Sequence, residues 1–153
     1  MRTRLLAATV LMLLVGPITT AHAYEKVRAG TWKLRSGFDE ISGGSMKVSK
    51  DATKISGLKV TPGEENVEAC GAGSVKARRT LTVKKYRSAN GRPAVATKGP
   101  NGLFVPTRTT FVVGGKNVSG KIMLLFERDG KTLGTGQIRF GDCFLQFSGN
   151  RFV

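Results

Sequence analysis

Beyond residue 23 the chain shows no run of apolar residues at helical spacing. Short segments rich in Val, Ile, Thr and Phe alternate instead with clusters of Gly, Asn, Asp and Pro about every ten residues, the pattern of an all-β protein with tight turns. The pattern is cleanest in the C-terminal half. "TRTTFVV" runs into the turn Gly114-Gly115-Lys116, and "NVSGKIMLLFE" follows. After the turn Arg128-Asp129-Gly130-Lys131, "TLGTGQIRF" passes through Gly141-Asp142 into "CFLQFS". The Asp129-Gly130 pair suits the positive φ values of a type I′ hairpin. These segments predict a four-stranded antiparallel meander. In its second strand Ile122, Leu124 and Phe126 share one face while Met123 and Leu125 share the other, which predicts a central strand covered on both sides.

The N-terminal half repeats the style less cleanly. "GTWKLRS" places Trp32 and Leu34 on one face and Lys33 and Arg35 on the other. "SMKVSK" and "KISGLKV" flank Asp51-Ala52-Thr53 as a hairpin. The apolar residues change parity between Ile55 and Leu58, which predicts a bulge at Ser56-Gly57. The same Ser-Gly pair recurs at Ser119-Gly120, as if one local device were used twice. "PGEENVEACGAG" and "SANGRPAVATKGPNG" read as the two long loops. Together the segments predict one antiparallel β domain over residues 24 to 153, a sandwich or flattened barrel of about eight or nine strands.

The first 23 residues break the pattern. Arg2 and Arg4 precede the apolar core "LLAATVLMLLVG", which is too short for a permanent membrane span, and "PITTAHA" ends in the cleavage pattern Ala21-His22-Ala23. Residues 1 to 23 are therefore expected to be a secretory signal peptide. No Cys follows the apolar core, so the expectation is a soluble secreted chain beginning near Tyr24. Its loss takes the formal charge from +15 to +13, a field that attracts nucleic acid, anionic polysaccharide or acidic lipid and also favours solubility. Cys70 and Cys143 are the only cysteines. In an exported protein such a pair predicts one disulfide, worth about 4 kcal/mol in the chain-entropy picture.

Chemistry is sparsely represented. His22, the only histidine, leaves with the signal peptide, so the remaining chain has no imidazole for a Ser-His-Asp or Cys-His arrangement or for a zinc site. With both cysteines bridged there is no thiolate nucleophile, and no phosphate loop or EF-hand spacing occurs. A pair of carboxylates is the arrangement left to a hydrolase, and Glu127 with Asp142 could meet near one end of the meander. Most other acids sit at turns, where they are expected as solvated residues. The expectation is a protein that is not an enzyme and uses no metal or cofactor. Asn117-Val118-Ser119 matches a glycosylation acceptor, but its place in a hairpin strand argues for coincidence.

The densest basic segment is "KARRTLTVKKYR", in which Lys76, Arg78, Arg79, Lys84, Lys85 and Arg87 fall within twelve residues. As one strand it would turn Ala77, Leu81 and Val83 inward, and Lys76, Arg78, Thr80, Thr82, Lys84 and Tyr86 outward; Arg79, inward by parity, would lie beyond the core's edge. Such a face could contact phosphate or sulfate groups without regard to sequence. Tyr86 alone offers an aromatic platform, fewer than a single-stranded nucleic-acid binder uses. A solvated strand that resists edge-to-edge aggregation would carry the same lysines.

Two resemblances bear on the fold. "AGTWKL", with Arg151 near the C-terminus, resembles the first strand of calycin barrels such as lipocalins and avidin-like proteins. That resemblance implies Trp32 plugging one barrel end beneath Arg151. More broadly, "MKV" before "KISGL", Cys70, "GKNVSGKI", "GTGQI", and Cys143 before "FLQFSG" resemble small exported all-β proteins of actinobacteria over about 110 residues. This implies a one-disulfide sandwich or barrel and names no active site. The leading functional expectation is a non-catalytic secreted domain that associates with anionic cell-wall polymer or another polyanion. The alternatives are a secreted inhibitor or partner of a hydrolase acting through residues 91 to 102, and a calycin-like carrier of a small ligand.

Overall fold

A computed structural model describes residues 26–36, 39–85, 103–127 and 129–151. Ten strands follow in order: β1 Gly30–Arg35, β2 Ile41–Val48, β3 Lys54–Pro62, β4 Val75–Ala77, β5 Leu81–Thr82, β6 Lys84–Lys85, β7 Leu103–Val113, β8 Lys116–Phe126, β9 Thr132–Phe140 and β10 Cys143–Arg151. Every pairing is antiparallel. β1 pairs with both β2 and β10, and the ladder continues through β3, β4, β7, β8 and β9 back to β10. Eight strands therefore close a barrel, which leaves no free sheet edge in that ring. Of the two architectures expected, the flattened barrel is the one adopted. β5 and β6 are two-residue additions, the first on β3 and the second on β7. No helix among the described residues is long and apolar enough to cross a membrane.

The meander predicted from the C-terminal half is β7 to β10. Gly114 and Gly115 both take positive φ, 54° and 78°, the geometry of a two-residue hairpin whose twist matches its strands. The next turn differs from expectation: the Gly130 N–H donates to the Glu127 carbonyl at 3.1 Å, so Gly130, with φ 62°, closes the four-residue turn and Asp129-Gly130 is not its central pair. Asp129 holds the turn with its carboxylate, which accepts the Lys131 N–H at 2.8 Å, the Thr132 N–H at 3.0 Å and the Thr132 hydroxyl at 2.9 Å. Asp51 does the same between β2 and β3, accepting the Ser49 hydroxyl, the Thr53 hydroxyl at 2.7 Å and the Thr53 N–H at 3.2 Å.

The bulge in β3 lies where the parity change placed it. Ser45 pairs with Lys59 but Lys47 pairs with Ser56, so β3 carries one extra residue, and Gly57 takes φ 60° there. Ser119-Gly120 is not a second copy of that device, because β8 runs past it in unbroken register with β7. Gly120 is required for space. A Cβ there would stand 2.6 Å from the Arg139 carbonyl oxygen and 2.8 Å from the Phe111 ring.

Alternation fills the interior. Trp32, Leu34, Phe111, Leu124, Phe126 and Leu145 are fully buried. The Trp32 ring meets Phe126 edge-on at 5.3 Å, and its Nε1 donates to the Arg28 carbonyl at 3.0 Å, which satisfies the one polar atom it takes inside. Arg151 stands opposite Trp32 across the β1–β10 ladder. The expectation that β8 is covered on both faces is corrected: Ile122, Leu124 and Phe126 are buried, but Met123 and Leu125 are only half-buried. A closed barrel has one apolar interior and no second layer outside it.

The first predicted loop contains a 3-10 turn, Glu64–Asn66, and a one-turn helix α1, Val67–Cys70. Together they carry Cys70 to the start of β10, where it is disulfide-bonded to Cys143 across 73 residues of sequence. Nearby, the Glu40 carboxylate accepts the Gln146 N–H. Among the described residues the β1–β10 pairing runs from Trp32 opposite Arg151 to Arg35 opposite Ser148, and Glu40 supplies the acceptor for the Gln146 N–H beyond it.

Candidate functional site

The basic stretch is not one strand. β4 ends at Ala77, the chain bends through residues 78 to 80, and β5 and β6 follow as separate pairings on opposite neighbours. The cause is legible in the residues. Two consecutive arginines cannot both face outward in a pleated strand, and an arginine turned into this core would be buried without a counter-charge. The bend leaves Lys76, Arg78 and Arg79 all exposed, and the chain re-enters the fold with Leu81 buried. Lys84 and Lys85 form β6 against Leu103 and Phe104 through the backbone. Arg87, Tyr86 and the segment 91 to 102 lie outside the described residues.

Closure of the barrel then gives the stretch neighbours that its sequence does not show. Lys76 pairs across the ladder with Lys59, so two exposed ammonium side chains stand side by side on β3 and β4. On the other flank the Arg78 N–H donates to the Thr110 carbonyl at 2.9 Å. Two residues along β7 from Thr110, on the same outward face, is Arg108. Arg108 pairs with Lys121, Lys121 with Arg139, and Arg139 with Phe144. All four are exposed, and they are drawn from four successive strands. A depression of about 440 Å³ lies against this row on the side of Met123 and Gln137, and another of about 390 Å³ on the side of Ser119 and Gly141. The cationic surface therefore runs from β3 through β4 and β7 to β9.

The sequence reading missed the second half of that surface. Its members are 13 and 18 positions apart, so no window reveals them. The available signal was period-two alternation in each strand, with Arg108, Lys121 and Arg139 all at outward positions, but alternation alone does not supply register.

The carboxylates are arranged for turns. Glu127 is held at one end of β9, where its N–H donates to the Thr132 carbonyl at 2.9 Å, while Asp142 lies in the turn beyond Phe140 at the other end. Nine residues of strand separate them, roughly 25–30 Å. The suggestion that they meet is thereby corrected, since paired carboxylates act within about 10 Å of each other. Asp51 is held below the usual carboxylate range by hydrogen bonds from Ser49 and Thr53. At Asp129, partial desolvation opposes ionisation, but the Lys131 N–H and the Thr132 hydroxyl and N–H together outweigh it and lower the pKa. Both therefore add stability above the ordinary aspartate range that is lost as pH falls through their lowered values. Among the described residues no group of three His, Cys, Asp or Glu side chains is placed to hold a metal ion. No protein-family model matches the chain, and neither the curated proteins nor the solved structures give a match.

Proposed function

We propose that this protein is a non-catalytic secreted β domain that associates with anionic polymers of the cell surface or its surroundings. The observation that carries the reading is the cross-strand placement of Lys59 and Lys76 beside the exposed Arg78 and Arg79. Four cations are held there by backbone geometry with no apolar function of their own, as sequence-independent contacts to phosphate, sulfate or carboxylate groups require. The absence of histidine after residue 23 and the engagement of both cysteines in a disulfide support the non-catalytic part. The disulfide also supports an oxidising compartment. Because Trp32, Phe111 and Phe126 occupy the interior, the reading rests on the outer wall.

The test is binding of the oxidised chain from Tyr24 onward to immobilised heparin and to isolated cell wall across a salt series. Affinity is expected to fall at least ~10-fold between 50 and 200 mM salt, and replacing Arg78 and Arg79 together by Ala should reduce the logarithmic salt slope by about two. Binding that is the same at both salt concentrations overturns the proposal.

A further inference from the structure

The outer wall of the meander has a property that general attraction to polyanions does not need. Lys121 stands directly across the ladder from Arg108 on one side and from Arg139 on the other. Opposed residues in an antiparallel pair bring their Cβ atoms to roughly 5 Å, and like charges placed there destabilise the sheet. The next outward positions along β8 and β9 are Ser119, Met123 and Gln137, with Gly141 just past the end of β9, so these two strands supply no carboxylate to Lys121 or Arg139; the nearest in sequence to Arg139, Asp142, lies in the turn beyond β9. A threonine or glutamine at position 121 would satisfy the β-sheet equally well. The row ends at Phe144, which is 42 % exposed between the fully buried Cys143 and Leu145. The exposed ring therefore stands beside cations and against a depression of about 440 Å³ that Lys121, Arg139 and Phe144 all line, so one concavity offers both charge and an aromatic face.

We infer that this row is a subsite for one charged sugar unit of an anionic polysaccharide: Lys121 and Arg139 hold its sulfate, phosphate or carboxylate groups, and Phe144 receives the apolar face of its ring. The inference rests on the polyanion reading above and names its ligand class. Arg139 offers a planar fork of donors suited to paired anionic oxygens, and Lys121 a compact charge beside it. Gln137, on the outward face next to Arg139, can hydrogen-bond hydroxyl groups. A single-stranded nucleic acid would call for successive aromatic platforms, whereas the row has one ring at one end. A lipid surface would call for several protruding apolar side chains; among the described residues the other large exposed apolar side chain is Val67, on α1.

The experiment compares the chain with its Lys121→Gln/Arg139→Gln and Phe144→Ala variants. The probes are a heparin-derived octasaccharide, inorganic polyphosphate, an oligo-dT of matched charge and phosphatidylglycerol vesicles. All substituted residues are exposed, so thermal midpoints should stay close to that of the parent and confirm folding. The double charge variant is expected to bind the octasaccharide at least ~10-fold more weakly. Phe144→Ala is expected to weaken the octasaccharide about 5-fold and polyphosphate, which has no ring, less than about 2-fold. Salt-dependent binding by the parent with no loss in the charge variant overturns the subsite while leaving the proposed function standing. Salt-independent binding by the parent overturns the proposed function itself. Equal losses on both probes for Phe144→Ala overturn the role of the ring, and tighter binding of oligo-dT or vesicles than of the octasaccharide overturns the choice of ligand.

Discussion

The two halves of the cationic wall hold their charges by opposite means. In the meander, Lys121 and Arg139 alternate with buried Ile122, Ile138 and Phe140, so register is kept through this stretch and the charges line up between strands. Between β4 and β6 the charges are adjacent in sequence, and the strand breaks to keep Arg78 and Arg79 in water. Charge density along the chain and charge density in space are thus different quantities. The conspicuous cluster is spread by a bend, and the inconspicuous one is concentrated by pairing.

That contrast can be broken most forcefully at the disulfide, which ties the irregular half to the first residue of β10. Replacing Cys70 and Cys143 by Ser should cost about 2–4 kcal/mol and lower the thermal midpoint by on the order of 10 °C. Amide exchange is expected to rise first around α1 and β4, with the β8 and β9 amides protected longest. Uniform loss of protection would show that the two halves are one cooperative unit despite their different regularity.

A smaller effect separates the two glycines of the repeated Ser-Gly pair. Gly120→Ala must displace the Phe111 ring or the Arg139 backbone and should cost about 1–3 kcal/mol. Gly57→Ala meets nothing within 4 Å but must hold φ 60°, a cost of about 1 kcal/mol that Gly57→Asn should largely avoid. Denaturant midpoints for the Ala and Asn variants at both sites check this: Asn should be the worse residue at 120 and the better one at 57.

The smallest effect sharpens the comparison of the charges themselves. Lys121→Thr removes a cation from between two others and should stabilise the protein by about 0.5 kcal/mol at low salt, with the gain shrinking as salt is added. Arg79→Thr, in the bend, should change stability by less than about 0.5 kcal/mol in either direction. Equal effects at the two positions would mean that the cross-strand row stores no repulsion.

The amino-acid sequence by itself determined the elements wherever a local rule governs them. Alternation placed the four meander strands, the parity change between Ile55 and Leu58 located the bulge, and a single pair of cysteines pointed to one bridge. Local rules also explain the misplaced details. Asp129-Gly130 has the composition of a type I′ turn, yet three hydrogen bonds to the Asp129 carboxylate held a different one. Met123 and Leu125 look like a second core face, yet closure into a barrel left them on the outside. Only the tertiary structure decided that the sheet closes, that Glu127 and Asp142 end up at opposite ends of β9, and that Arg108, Lys121 and Arg139 stand in line with Phe144. The physical reason is that alternation fixes which face a side chain takes but not which residue faces it across the ladder. Register is set by the turns and by the packing of the interior as a whole, and the candidate site is made of register.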